Sequence, residues 1–122
     1  MQPYTAISLM EKFGQFTDQW SPKVIAELND VQFKLARLEG EFVWHQHDDT
    51  DEAFFVVEGT LRILLRDGEV SIPAGSLYVV PKGVEHCPVA DAECLVLIIE
   101  PRNVINTGSA GGERTAPNDV WI

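Results

Sequence analysis

Apolar positions recur first at helical spacing and then in short runs, so the chain reads as one short helix followed by a β-rich body. Ile7, Met10, Phe13 and Phe16 fall on one face at a spacing near 3.6, which predicts a helix over 7–16 with Thr5 or Ser8 as its cap. From Val24 onward the apolar runs are broken at Asn29-Asp30, Gly40, Gly59, Asp67-Gly68, Pro73-Ala74-Gly75, Pro81-Lys82-Gly83 and Ala90-Asp91. Turn signals at such regular intervals predict strands at 24–28, 31–38, 42–45, 53–57, 61–65, 70–72, 77–80, 86–89 and 94–99. The fold class is therefore all-β, a barrel or sandwich in which most edges are paired. Arg66-Asp67-Gly68-Glu69 predicts a tight hairpin, because Asp-Gly supplies the positive-φ residues of a primed turn. The Gly-, Asn- and Thr-rich stretch beyond Pro101 reads as an irregular tail that either wraps the body or is mobile. Its end, Val120-Trp121-Ile122, is too apolar to be left in solvent.

Length makes this one unit, with an N-terminal helical segment at 1–23, a β-barrel at 24–100 and a tail at 101–122. A net charge of −10 opposes the counterion release that drives nucleic-acid binding, so DNA, RNA and anionic membranes are poor partners. No leader pattern and no run of 18 apolar residues is visible, and the two cysteines, Cys87 and Cys94, are too few for a disulfide scaffold. A cytoplasmic setting is expected. The cysteines are read as free structural thiols, with pairing across a hairpin as the alternative if a turn sits at Ala90 and Asp91.

All three histidines lie beside turns. His45 and His47 sit two apart at the end of an expected strand, where period-two alternation sends both rings to one face about 7 Å apart at Cα. Glu52 opens the next strand after an acidic connection and can fold back beside them, and His86 follows the Pro81-Lys82-Gly83 turn. Three neutral imidazoles and one carboxylate suit one divalent first-row metal, with one or two positions left for exchangeable ligands. Asp51 is the fallback ligand should the register slip by one. On the same alternation Glu41 and Val43 share the histidine face, Phe42, Trp44 and Gln46 the other, and Phe54 lies on the Glu52 face. Asp48, Asp49 and Asp51 form an acidic rim that either gathers cations or is a solvated loop.

The joint spacing resembles the two motifs of the cupin superfamily. Gly40, four residues, His45-Gln46-His47, four residues, Glu52, six residues and Gly59 match the first. Gly75, five residues, Pro81-Lys82-Gly83, two residues and His86 match the second. Gly40 stands one residue closer to the histidines than in the commonest form, and Ala90 replaces the asparagine that usually ends the second motif. The resemblance implies a double-stranded β-helix, or jelly-roll, barrel with His45, His47, Glu52 and His86 as metal ligands in its mouth. Ile105-Asn106-Thr107-Gly108 and Gly112-Glu113-Arg114-Thr115 resemble the tails of small single-domain cupins often labelled mannose-6-phosphate-isomerase-like.

The leading functional expectation is a metalloenzyme acting on a small organic molecule, by oxygenase- or isomerase-type chemistry, with iron, manganese, nickel, copper or zinc as its metal. The alternative is a non-catalytic module that holds a metal and a small ligand for binding or sensing. A phosphosugar would call for several cations, and the second motif offers only Lys82. A homodimer is expected, since a small barrel leaves edge strands to be covered.

Overall fold

Alternating inward and outward side chains build a barrel of antiparallel strands, seen in a computed structural model that describes residues 4–122. A helix α1 (Leu9–Phe13) precedes β1 (Lys23–Leu28), β2 (Val31–Glu41), β3 (Glu52–Glu58), β4 (Thr60–Leu65), β5 (Gly68–Pro73), β6 (Leu77–Val80) and β7 (His86–Pro101). One wall runs β1-β2-β7-β3-β6, while β4 and β5 make the other. The strand β7 belongs to both: its first residues pair with β4 and its last with β2 and β3. That sharing closes an all-β jelly roll around one core.

Inward positions of the first wall, Ala36, Leu38, Phe54, Val56, Val96 and Ile98, meet Leu61, Ile63 and Ile72 of the second. Burying such side chains is worth about 2 kcal/mol each before conformational entropy is charged. The helix lies outside, where Phe13 and Phe16 pack on Ile25, Leu35 and Leu95. Ser8, not Thr5, caps it by accepting from the Glu11 N–H. It is shorter than its apolar spacing suggests because Gly14 ends it and Arg37 donates to the Phe13 and Phe16 carbonyls, both at 2.9 Å.

The structure differs from the expected strands in three places. The 86–89 and 94–99 segments are one strand, and the signal at Ala90-Asp91 marks a bulge, not a reversal. Leu38 pairs with Cys94 and Gly40 with Ala90, so two steps along β2 span four along β7. Cys87 and Cys94 accordingly lie along one strand as buried free thiols. Residues 42–44 form no strand, because β2 runs on to Glu41 and the chain then turns into the barrel mouth. The hairpin after β4 does form, with Leu65 opposite Gly68, but neither Asp67 nor Gly68 has positive φ. The tail packs on the barrel, and its end pairs alongside β1 through Val24 N–H to Val120 O at 2.7 Å and Ile122 N–H to Val24 O at 3.1 Å.

Gly59 links β3 to β4 at φ +89, and a Cβ there would stand 2.8 Å from the Cys94 Cβ and 3.3 Å from the Glu93 carbonyl. The bulged strand leaves it no room. Replacing Gly59 by Ala is expected to cost about 2 kcal/mol or more, a fall in Tm of roughly 10 °C. Calorimetry reads this, and an unchanged Tm would contradict the packing described.

Candidate metal centre

Two backbone hydrogen bonds set the centre. His45 N–H donates to the His86 carbonyl at 3.0 Å and His86 N–H to the His45 carbonyl at 2.8 Å, an isolated antiparallel bridge across the barrel mouth. This bridge brings two rings distant in sequence to 4.3 Å between centroids, with His47 at 5.1 Å from His45. Glu52 enters from the first position of β3, whose inward parity also carries Phe54 and Val56. One donor atom from each of His45, His47, Glu52 and His86 lies within 4.8 Å of the others, and all four residues are buried. That spread is close to what donors about 2.1 Å from one ion span.

Whether an ion fits depends on where the ring protons lie. Nδ1 of His45 lies 2.9 Å from the Val43 carbonyl and Nδ1 of His86 lies 2.9 Å from that of Val84. A carbonyl only accepts, so each Nδ1 carries a proton and each ring turns its Nε2 to the centre. Burial, which outweighs the Val43 hydrogen bond, lowers His45 to about 4, so this ring is neutral at neutral pH. Glu52 Oε1 stands 3.4 Å from His47 Nε2 and 3.6 Å from His86 Nε2, too long for hydrogen bonds. None of these three buried atoms has a hydrogen-bond partner. Burial pushes the Glu52 carboxyl up, but the adjacent His47, His86 and Glu100 outweigh it and hold Glu52 well below the usual carboxylate range. Polar atoms left without partners in a buried space are costly unless something lies among them, and the donor set is compatible with a divalent metal.

The loop carrying His47 is clamped from two sides. Gly83 N–H donates to the His47 carbonyl at 2.8 Å, and Asp51 Oδ1 accepts from the Lys82 N–H at 2.9 Å. Asp51 is thus exposed and structural, and Glu52 is the carboxylate that enters the centre. From the other side the tail lays Ser109 N–H on the Gln46 carbonyl at 3.1 Å and presses Gly108 against the same residue. Asn106 folds the tail by donating to the Arg114 carbonyl and accepting from the Ala116 N–H.

Because residues 42–44 are not a strand, the expected parity fails there. Phe42 joins the core and packs edge-on to His45 at 5.4 Å, while Glu41 is exposed. Phe54 does wall the site, 6.4 Å from the His86 ring. Asp48 and Asp49 are exposed, and Tyr78 packs on the core. Arg37 serves the helix and Glu93 on the outer face. Burial, with nearby Glu41, raises the Cys87 thiol to about 11, and burial with Glu93 raises Cys94 to about 12, so neither is a reactive thiolate.

A pocket opens beside the centre, lined by His45, Glu52, Trp20, Phe42, Lys34 and Glu100 among others and roofed by Val104, Asn106, Pro117 and Asn118. It is a small pocket, with about 40 Å³ open to the centres of water-sized molecules. Trp20 stacks on Phe42 at 4.6 Å with its backbone in the left-handed region at φ 57, a strain of about 1 kcal/mol that places the indole on the pocket wall. Trp20, Lys34, Glu100 and the roofing tail were not among the residues expected from sequence. For Lys34 the available signal was its parity with Ala36 and Leu38.

Comparison with known proteins agrees with this arrangement. The Cupin_2 family model, described as a cupin domain, matches residues 33–100. The uncharacterized protein YdbB of Bacillus subtilis (strain 168) is 43% identical over 89 residues, which cover 70% of this chain and 73% of that protein. The crystal structure of a cupin-2 domain containing protein from Shewanella frigidimarina NCIMB 400 superposes with a TM-score of 0.78 at 59% identity, over 79% of this chain and 94% of that one. Protein NMB1881 from Neisseria meningitidis superposes at 0.72 with 32% identity, over 80% and 99%.

Proposed function

The chain belongs to the cupin family, and from that premise we propose that His45, His47, Glu52 and His86 hold one divalent transition metal and that the protein is a metalloenzyme acting on a small organic molecule. The observation that carries this reading is the set of three buried polar atoms, His47 Nε2, Glu52 Oε1 and His86 Nε2, that lie close together without a hydrogen-bond partner. A bound ion of this class polarises a carbonyl or enol oxygen, or brings dioxygen and substrate together, which are the isomerase- and oxygenase-type options. The Val43 and Val84 carbonyls orient two rings, Phe42 and Phe54 keep the centre dry, and the tail limits entry to small molecules. Elemental analysis of the purified protein, followed by oxygen-uptake and isomerisation screens with small diketones, thiols and phenols, tests it. About one metal per chain with turnover of one class supports the reading, and a metal-free protein refractory to loading rejects it.

The same proposal includes a cytoplasmic setting, supported by two buried unpaired thiols, and a homodimer. Among the described residues no helix is long and apolar enough to cross a membrane. The C-terminal end already covers β1 within its own chain, and of the remaining edges, β5 and β6, the second exposes Leu77 and Val79 to a second copy. Light scattering at micromolar concentration is expected to give twice the chain mass, and Val79→Lys to halve it. A monomeric wild type would contradict this.

A further inference from the structure

The metal centre is only half of the polar lining of the barrel. On the inner face of the first wall a charged row crosses three strands: Lys34 on β2, Glu100 on β7 and Glu52 on β3. The register pairs Ala53 with Ile99, so the next position along sets Glu52 opposite Glu100. Lys34 Nζ donates to Glu100 Oε2 at 2.9 Å, and the two side chains are 2% and 3% exposed. Such a pair is a poor choice for stability, because a desolvated ion pair is on balance no better than two apolar side chains of the same volume. Glu100 Oε1, moreover, is buried without any hydrogen-bond partner. A carboxylate oxygen kept dry and unpaired beside a pocket costs free energy unless something entering the pocket meets it.

What it meets follows from the lining. The pocket shares Glu100 and Lys34 with His45 and Glu52, and Trp20, Phe42, Phe54 and Ile98 fill the space around them with apolar surface. A molecule that occupies this pocket therefore lies beside Glu100 as well as the centre. Glu100 Oε1 is an open acceptor, since Lys34 is bonded to the other oxygen, so its partner has to donate a proton. A hydroxyl does so. A ketone or carboxylate oxygen has no proton to offer and would leave acceptor against acceptor.

We propose that Glu100, held in place by Lys34, is a ligand-contacting residue that fixes a hydroxyl next to the oxygen bound at the metal centre. The site then selects small molecules bearing two adjacent oxygens, such as α-hydroxy acids, α-hydroxy ketones and enediols. The pocket is small, so the part of the molecule that enters is a compact head group. This rests on the metal reading above and names the substrate class for it.

The test uses the cobalt-loaded full chain and a matched pair of probes, glycolate and acetate, with visible absorption as the readout. Glycolate chelates free cobalt somewhat better than acetate, so the informative quantity is how the ratio of the two affinities changes between proteins. The double variant Lys34→Met/Glu100→Leu replaces the pair with apolar side chains and leaves no buried charge alone. Expected is at least a tenfold loss of glycolate affinity in the variant, with acetate affinity within about twofold and cobalt still near one per chain. An unchanged ratio at full cobalt occupancy would make Lys34 and Glu100 structural and overturn the inference while sparing the metal reading. A wild type that binds no cobalt would remove both. Should the double variant not fold, a crystal of the wild-type cobalt and glycolate complex decides the point. A hydroxyl within about 3.2 Å of Glu100 Oε1 supports the inference, and one turned elsewhere overturns it.

Discussion

Replacing His45 and His86 together by Ala is expected to reduce bound metal from about one per chain to background, leaving the β-type circular dichroism in place. The two rings supply half of the donor set and their backbones form the bridge across the barrel mouth. The bridge is made by N–H and carbonyl groups that Ala retains, so the loss falls on the metal and not on the strand pairing. The loss of affinity should exceed the roughly 100-fold that follows removal of a mere supporting partner of a ligand. Stability gives a second reading of the same experiment. An ion present at 100 times its dissociation constant adds about 2.7 kcal/mol to the folded state, worth roughly 10 °C in Tm for a chain of this length. The wild type should therefore lose that increment on chelation. The double variant should melt at one temperature with or without chelator. Metal retained at full occupancy in the variant would refute the ligand assignment.

Gly108→Ala is expected to weaken metal binding without touching a ligand. Gly108 sits at φ +51, and a Cβ there would stand 2.3 Å from the Gln46 carbonyl oxygen and 3.1 Å from His47 Nδ1. The obstructing atom is backbone, and the same carbonyl accepts from Ser109 N–H, so the loop has nowhere to retreat. Either the tail lifts or residues 46 and 47 move, and a displaced His47 can no longer share a centre with Glu52. A drop in metal affinity of about 10- to 100-fold follows, comparable to loss of a supporting partner, with about 1 kcal/mol more from the left-handed backbone. Competition against a chelator of known affinity measures it. Wild-type affinity together with a wild-type Tm would show that the tail does not buttress the centre.

The centre was more legible in the sequence than the walls around it. The placing of His45, His47, Glu52 and His86 beside turns follows from local signals, and the structure gathers all four. Period-two parity also held where the strand was regular, as in Glu52, Phe54 and Val56. It failed at residues 42–44, where an extended but unpaired segment turns Phe42 inward beside His45. The Ala90-Asp91 signal was real, but a turn and a bulge use the same small and polar residues. Only the pairing of β7 with β2 on both sides decides between them. The inward placing of Lys34 and Glu100 is hidden in the sequence for another reason. On β2 both faces are covered, one by the barrel interior and one by α1, so alternation loses its contrast, and a charged residue reads as outward by default. The course of the tail is not legible in the sequence because its contacts, from Gly108 to Gln46 and from Ile122 to Val24, join segments with no shared pattern.

The central claim is that four protein donors hold one ion and leave it at least one exchangeable position. Four donors could equally complete a closed tetrahedral shell, but such structural sites are built mainly from cysteine, and here Cys87 and Cys94 are protonated thiols that lie outside the donor cluster. Cobalt substitution separates the two cases in one cuvette. The account predicts weak visible bands of five- or six-coordinate cobalt at about one ion per chain, shifting when azide is added. An intense tetrahedral spectrum that no added ligand perturbs would contradict it.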